Sequence, residues 1–128
     1  AYGSLSHGLL TGTWTADKTF GDDDWRRSGA NFGISSWGPE NLAANVAVVE
    51  KLKVIAGDHG KTIPQLAIAW VLANDAISVA LAGSVTPAEA TENLGGDWEM
   101  PDDLRKEIDT LVLSEGSGVG TSGMEIAT

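Results

Sequence analysis

Between Ile63 and Ala73 every residue except Gln65 is apolar. A helix that is apolar on nearly every face has to be buried between layers. Thr62 and Gln65 stand at capping-box spacing, so the helix is expected to begin there. Whatever else the chain forms must cover this rod.

The flanking segments supply that cover. From about Pro39 to Ala56, Leu42, Val46, Val49 and Leu52 recur at helical spacing, with Pro39 suited to the first helical position. Lys51 and Lys53 suit the negative end of this helix, and Gly57 and Gly60 are expected to stop it. Ile77 to Ala82 is a continuous apolar and small run that reads as a short buried strand ending at Gly83. Thr86 then caps a third helix, with Pro87 at its first position and Glu89 closing a second capping box; Gly95-Gly96 ends it. A fourth helix is expected from about Pro101, with Leu104, Ile108, Leu111 and Val112 inward.

Residues 1–12 read as a strand end running into a loop marked by Gly3, Gly8 and Gly12. Residues 13–38 have no sustained period, but Trp14, Phe20, Trp25, Phe32 and Trp37 argue against simple disorder. A loop of that length inside a compact domain is usually functional or disordered. Residues 113–128 read as a flexible tail. The order is strand, long loop, helix, helix, strand, helix, helix, which belongs to an α/β fold with a parallel sheet. Two strands cannot make such a sheet stand alone, so the pattern implies missing neighbours.

Composition removes several function classes. Acidic residues outnumber basic ones 18 to 8, a net charge of −10, and no basic stripe forms, which disfavours nucleic acid as a partner. No run of about 18 apolar residues occurs, so no membrane span is expected. The absence of cysteine excludes disulfides and thiolate chemistry. The start, Ala1-Tyr2-Gly3, lacks an initiator Met and a basic signal region, and reads as a chain already under way. A cytoplasmic location is the expectation. Asp22-Asp23-Asp24 lacks the spaced partners a metal loop requires. Gly118-Val119-Gly120-Thr121-Ser122-Gly123 matches a dinucleotide fingerprint literally, but neither follows a strand nor opens a helix.

Three stretches, in order and at the right separations, resemble aldo-keto reductases. They are Ala1-Tyr2-Gly3-Ser4-Leu5-Ser6-His7-Gly8-Leu9-Leu10-Thr11-Gly12, Lys61-Thr62-Ile63-Pro64-Gln65-Leu66-Ala67-Ile68-Ala69-Trp70, and Ala82-Gly83-Ser84-Val85-Thr86-Pro87-Ala88-Glu89-Ala90-Thr91-Glu92-Asn93-Leu94. The resemblance implies the C-terminal part of a (β/α)8 TIM barrel: strands seven and eight, their helices, and two extra helices. Such a piece cannot close a barrel alone. On that mapping residues 1–112 are partial barrel, and 13–38 are a mobile loop that covers the cofactor. The implied activity is reduction of aldehydes or ketones with NADP(H), or NAD(H) as the alternative. The family's catalytic Tyr, Lys, Asp and His belong to earlier strands, so no catalytic residue is assigned here. The implied partners are a small carbonyl substrate and either the missing barrel half or a second copy. The reading of a different class is a non-catalytic module that self-associates.

The resemblance carries over residue by residue. Tyr2 matches the residue on which the nicotinamide stacks; from the residues alone the better reading is a Tyr packed at a strand end. Gly3, Ser4, Leu5 and Ser6 would lie along the pyrophosphate, offering backbone amides. Gly3-Ser4 departs from the usual Ser-Pro of the family. His7 stands near the phosphates or is a solvated loop residue. Gly83, Ser84, Val85, Thr86, Glu89, Glu92 and Asn93 form the adenine side, where Glu92 and Asn93 match the pair that binds the base, or else cap a helix. Gly83, Val85 and Glu89 occupy positions where relatives carry cations for the 2′-phosphate. A carboxylate beside a dianionic phosphate is unfavourable, so a weakened preference for NADPH is expected.

Overall fold

The computed structural model describes residues 1–30 and 34–118. Its architecture is a layer of helices: α1 (Pro39–Asp58), α2 (Ile63–Leu72), α3 (Pro87–Leu94) and α4 (Asp102–Glu115). Helix α2 is the centre of it. Ile63, Pro64, Leu66, Ile68 and Ala69 are buried, and none of its residues is exposed. The amide of Thr62 donates to Gln65 Oε1 at 3.1 Å, so the reciprocal half of the expected capping box is present. Helices α1 and α3 and the segment Ser6–Thr11 pack on α2, while α4 packs on α1.

Helix α1 buries Leu42, Val46, Val49 and Leu52 on the face that their spacing indicated, and also Asn41, Asn45, Val48 and Ala56. Gly57 does not stop it. The helix runs to Asp58, and the chain turns at Gly60, whose φ of 65° lies in the left-handed region glycine tolerates. Three side chains lock the layer together. Trp70 Nε1 donates to Asp109 Oδ1 at 2.7 Å, joining α2 to α4. Trp98 Nε1 donates to the Gln65 carbonyl at 3.3 Å. Arg105 Nη1 donates to the Ala73 carbonyl at 2.7 Å, placing a cation at the negative end of α2.

Three expectations are corrected. The two strands form no ladder among the described residues. Instead Ala1 donates to the Val79 carbonyl and its own carbonyl accepts from Leu81 N at 2.9 Å, a single parallel bridge centred opposite Ala80. The strand expected to be buried is uncovered: Val79 is 58% and Leu81 59% exposed. The cause is that, among the described residues, only one short segment lies beside it, and a parallel strand needs partners on both edges and cover on both faces. The third correction concerns the tail. Helix α4 continues to Glu115, and residues 116–118 are hydrogen-bonded rather than free. Ser117 pairs with Asn45, and the Gly118 carbonyl accepts from Ser35 N at 3.0 Å. Of the literal dinucleotide fingerprint, residues 119–123 lie outside the described residues, as does Phe32. No described helix is long and apolar enough to cross a membrane.

Candidate cofactor site

The glycine-rich segment is wound tightly. Ser6 and His7 both have positive φ, 47° and 55°, and Gly8 follows at 110°. Two consecutive non-glycine residues in the left-handed region are uncommon and have to be held there by their surroundings. The Ser6 amide donates to the Gly3 carbonyl at 2.8 Å, and the Gly8 and Leu10 amides both donate to the Leu5 carbonyl, at 3.0 and 3.2 Å. The amides of Ser4, Leu5 and His7 meet no acceptor among the described residues. Ser4 is buried, and its Oγ has no hydrogen-bond partner among the described residues. Tyr2 stands out at the rim, 77% exposed.

The aromatic loop folds onto this segment. The His7 ring meets Tyr2, Trp25 and Trp37 edge-on, with centroids 5.8, 5.0 and 5.2 Å away. Trp37 is buried, and Trp25 lies edge-on to it at 5.7 Å. Arg26 lies with its guanidinium over Trp14 at 5.6 Å and Phe20 at 5.0 Å. Its Nη1 donates to the His7 carbonyl at 2.9 Å, and Asp24 grips the rest of the guanidinium through Nε at 2.9 Å and Nη2 at 2.6 Å. The Arg26 side chain and backbone amide hold the Asp24 carboxyl well below the usual carboxylate range, at about 2. Asp24 in turn raises Arg26. Asp22 pairs with Arg27, so two of the three consecutive aspartates are engaged by arginines.

The second cluster surrounds the start of α3. Thr86 Oγ1 accepts from Glu89 N at 3.2 Å, as a capping Thr should. The Glu89 carboxylate accepts from Val85 N at 2.7 Å rather than from Thr86 N, so the expected capping box is shifted by one residue. A carboxylate thus occupies the amide-rich end of the helix. Asn93 Nδ2 donates to Ser84 Oγ at 3.0 Å and to the Gly83 carbonyl at 3.4 Å, which closes the turn from Gly83 to α3. Val85 is 93% exposed. Glu92 is half-buried, and its carbonyl accepts from Gln65 Nε2 at 3.1 Å.

The bridge at Ala1 relates the two clusters. Because the segments run parallel, both leave the bridge in the same direction, one into Tyr2–His7 and the other into Gly83–Thr86. Behind Tyr2–Ser6 lies an apolar cavity of about 350 Å³, walled by Leu52, Leu66, Trp70, Ile108 and Val112. Sequence reasoning missed Asp24, Arg26 and Asn45 as members of this architecture. The one available signal was Asp24-x-Arg26, a carboxylate and a guanidinium two residues apart beside Trp25.

The family profile described as "Aldo/keto reductase family" matches residues 1–111. An aldo-keto reductase of Gibberella moniliformis is 33% identical over 118 residues, which covers 87% of this chain and 34% of that protein. Aldo-keto reductase YhdN of Bacillus subtilis is 34% identical over 113 residues, 87% of this chain and 33% of the relative. An Escherichia coli protein named NADH-specific methylglyoxal reductase is 31% identical over 93 residues, 73% of this chain and 26% of the relative. Among solved structures, a glycerol dehydrogenase of Gluconobacter oxydans superposes with a TM-score of 0.76 at 26% identity, covering 88% of this chain and 33% of that one. The chain spans about a quarter to a third of the length of these relatives.

Proposed function

The chain belongs to the aldo/keto reductase family, and on that premise we propose that it forms one side of the nicotinamide-cofactor site of an NAD(P)H-dependent reductase of aldehydes or ketones. The observation that carries this reading is the parallel bridge at Ala1, which sends Tyr2–His7 and Gly83–Asn93 out along one edge. In the (β/α)8 barrel, sites gather at the C-terminal ends of the strands, and the two segments would be strands seven and eight.

The residues fit a dinucleotide lying across that edge. The exposed Tyr2 ring offers a stacking face for nicotinamide. The amides of Ser4, Leu5 and His7 are donors without acceptors among the described residues, suited to a pyrophosphate. Ser84, Glu92 and Asn93 line the turn on the adenine side, and residues 13–38 would cover the bound cofactor. The nicotinamide cofactor supplies the hydride; this chain's part is to bind and orient it. The proton donor and its tuning residues would come from the preceding barrel strands.

Glu89 bears on the choice of cofactor. Its carboxylate already neutralises the start of α3, where a 2′-phosphate would otherwise be attracted, and no cation stands at Gly83 or Val85. We read this as favouring NADH. That one relative carries NADH specificity in its name supports the same direction.

A second reading, a non-catalytic module that self-associates, draws on the exposed Val79, Leu81, Val85 and Leu94. A chimera separates the two. Residues 1–111 would replace the matching third of the Bacillus subtilis relative. The expected result is carbonyl-dependent oxidation of NADH, with affinity for the dinucleotide reduced by Tyr2→Ala. A chimera that folds but binds neither NADH nor NADPH would overturn the reductase reading.

A further inference from the structure

We propose that Arg26 is a positioning residue that pins the phosphate-facing turn, acting through the His7 carbonyl and not by touching the cofactor. This rests on the cofactor reading above and adds a component to it. The left-handed run Ser6–His7–Gly8 needs a restraint on its backbone, and the packing of the His7 ring on Trp25 and Trp37 makes no bond to that backbone. Arg26 is the group that supplies one. Its Nη1 donates to the His7 carbonyl at 2.9 Å from a residue 19 positions away.

The guanidinium is built to stay there. Asp24 accepts from Nε and Nη2 and also from the Arg26 backbone amide, at 2.9, 2.6 and 3.0 Å. The rings of Trp14 and Phe20 lie against its planar face. Gly8 is part of the same fit, since a Cβ there would stand 2.9 Å from Trp14 Cζ2 and 3.1 Å from Arg26 Nη1. With Nε and Nη2 bonded to Asp24 and Nη1 bonded to His7, each guanidinium nitrogen of Arg26 is tied to the wall of the turn. A Lys would keep the charge but lose the planar fork that reaches both partners at once.

The test uses the isotope-labelled chain and the chimera described above. Amide exchange at Gly8 and Leu10, both bonded to the Leu5 carbonyl, is followed in wild type, Arg26→Ala and Arg26→Lys; NADH affinity is then measured for the same three forms in the chimera. Exchange at Gly8 and Leu10 should quicken by about tenfold in both variants while amides of α1 are unchanged, and NADH should bind about tenfold more weakly. Should Arg26→Ala fail to fold, Asp24→Asn asks the same question while keeping side-chain shape. Unchanged exchange at Gly8 and Leu10 would overturn the pin. Faster exchange with unchanged NADH affinity would overturn its positioning role. A wild-type chimera that folds but does not bind NADH, with exchange in the chain behaving as expected, would sink the cofactor reading and leave the pin standing.

Discussion

Asn45 and Ser117 are joined by a closed pair of hydrogen bonds. Asn45 Nδ2 donates to the Ser117 carbonyl at 2.6 Å, and Ser117 N donates back to Asn45 Oδ1 at 2.8 Å. The side-chain amide of α1 thus imitates a neighbouring strand and docks the chain beyond α4. The same Nδ2 also donates to the Ser36 carbonyl at 2.8 Å, one residue before the buried Trp37. Asn45→Ala would leave three backbone groups without partners, at a cost of about 2 to 4 kcal/mol in urea denaturation. Ser117→Ala keeps the backbone ring and should cost about 1 kcal/mol or less. Equal losses for the two variants would contradict this account.

Two glycines predict opposite signs. A Cβ on Gly96 would stand 2.6 Å from Ile68 Cβ in the buried contact between the end of α3 and α2. Gly96→Ala should destabilise by about 1 to 3 kcal/mol, since neither backbone can yield cheaply. Gly57, near the end of α1, has nothing among the described residues within 4 Å of the same added atom. Gly57→Ala should stabilise by about 0.5 to 1 kcal/mol by restricting the unfolded chain. Melting curves for the pair, taken in one buffer, decide both.

Acid should act on the Arg26 latch late. The Asp24 carboxyl is held at about 2, below its ordinary 3.8. Its contribution is therefore full above the unfolded value and is lost as pH falls through the folded one. The stability difference between wild type and Asp24→Asn should be constant at neutral pH, shrink between about pH 4 and 2, and vanish below. A difference that disappears already at pH 5 would mean that another group carries the effect.

Charge reversal at Glu89 tests the cofactor preference. Glu89→Arg removes the carboxylate from Val85 N and puts a cation beside the start of α3. In the chimera, the ratio of NADPH to NADH affinity should rise by about tenfold or more in paired titrations. An unchanged ratio would mean that the 2′ position of the ribose lies elsewhere.

What could be read from the sequence follows the range of each interaction. Helix α2 was legible because its apolar run is local, and α1 because Leu42, Val46, Val49 and Leu52 repeat at one spacing. The segment Ile77–Ala82 was legible as extended chain, but its cover was not, because residues elsewhere decide whether a strand is buried. Nothing local announces that Ser6 and His7 adopt positive φ, since neither is glycine. Nor does any pattern announce Asn45 reaching Ser117 across 72 positions. The candidate site divides in the same way. Tyr2, Ser84 and Asn93 came through family resemblance, whereas Asp24 and Arg26 emerged only when the aromatic loop was seen folded on His7.

The bridge at Ala1 also sets an order in time. It joins residues 78 apart, whereas the bonds of α1 and α2 are local. Closing so long a loop costs more chain entropy than forming a helical turn, and contacts of that kind come late in folding. The helical layer is therefore expected to form before the bridge between Ala1 and Val79–Leu81. During that interval the chain is a packed scaffold with the Tyr2 and Ser84 segments still apart, and on the proposed function a nucleotide spanning both would favour the closed form by mass action.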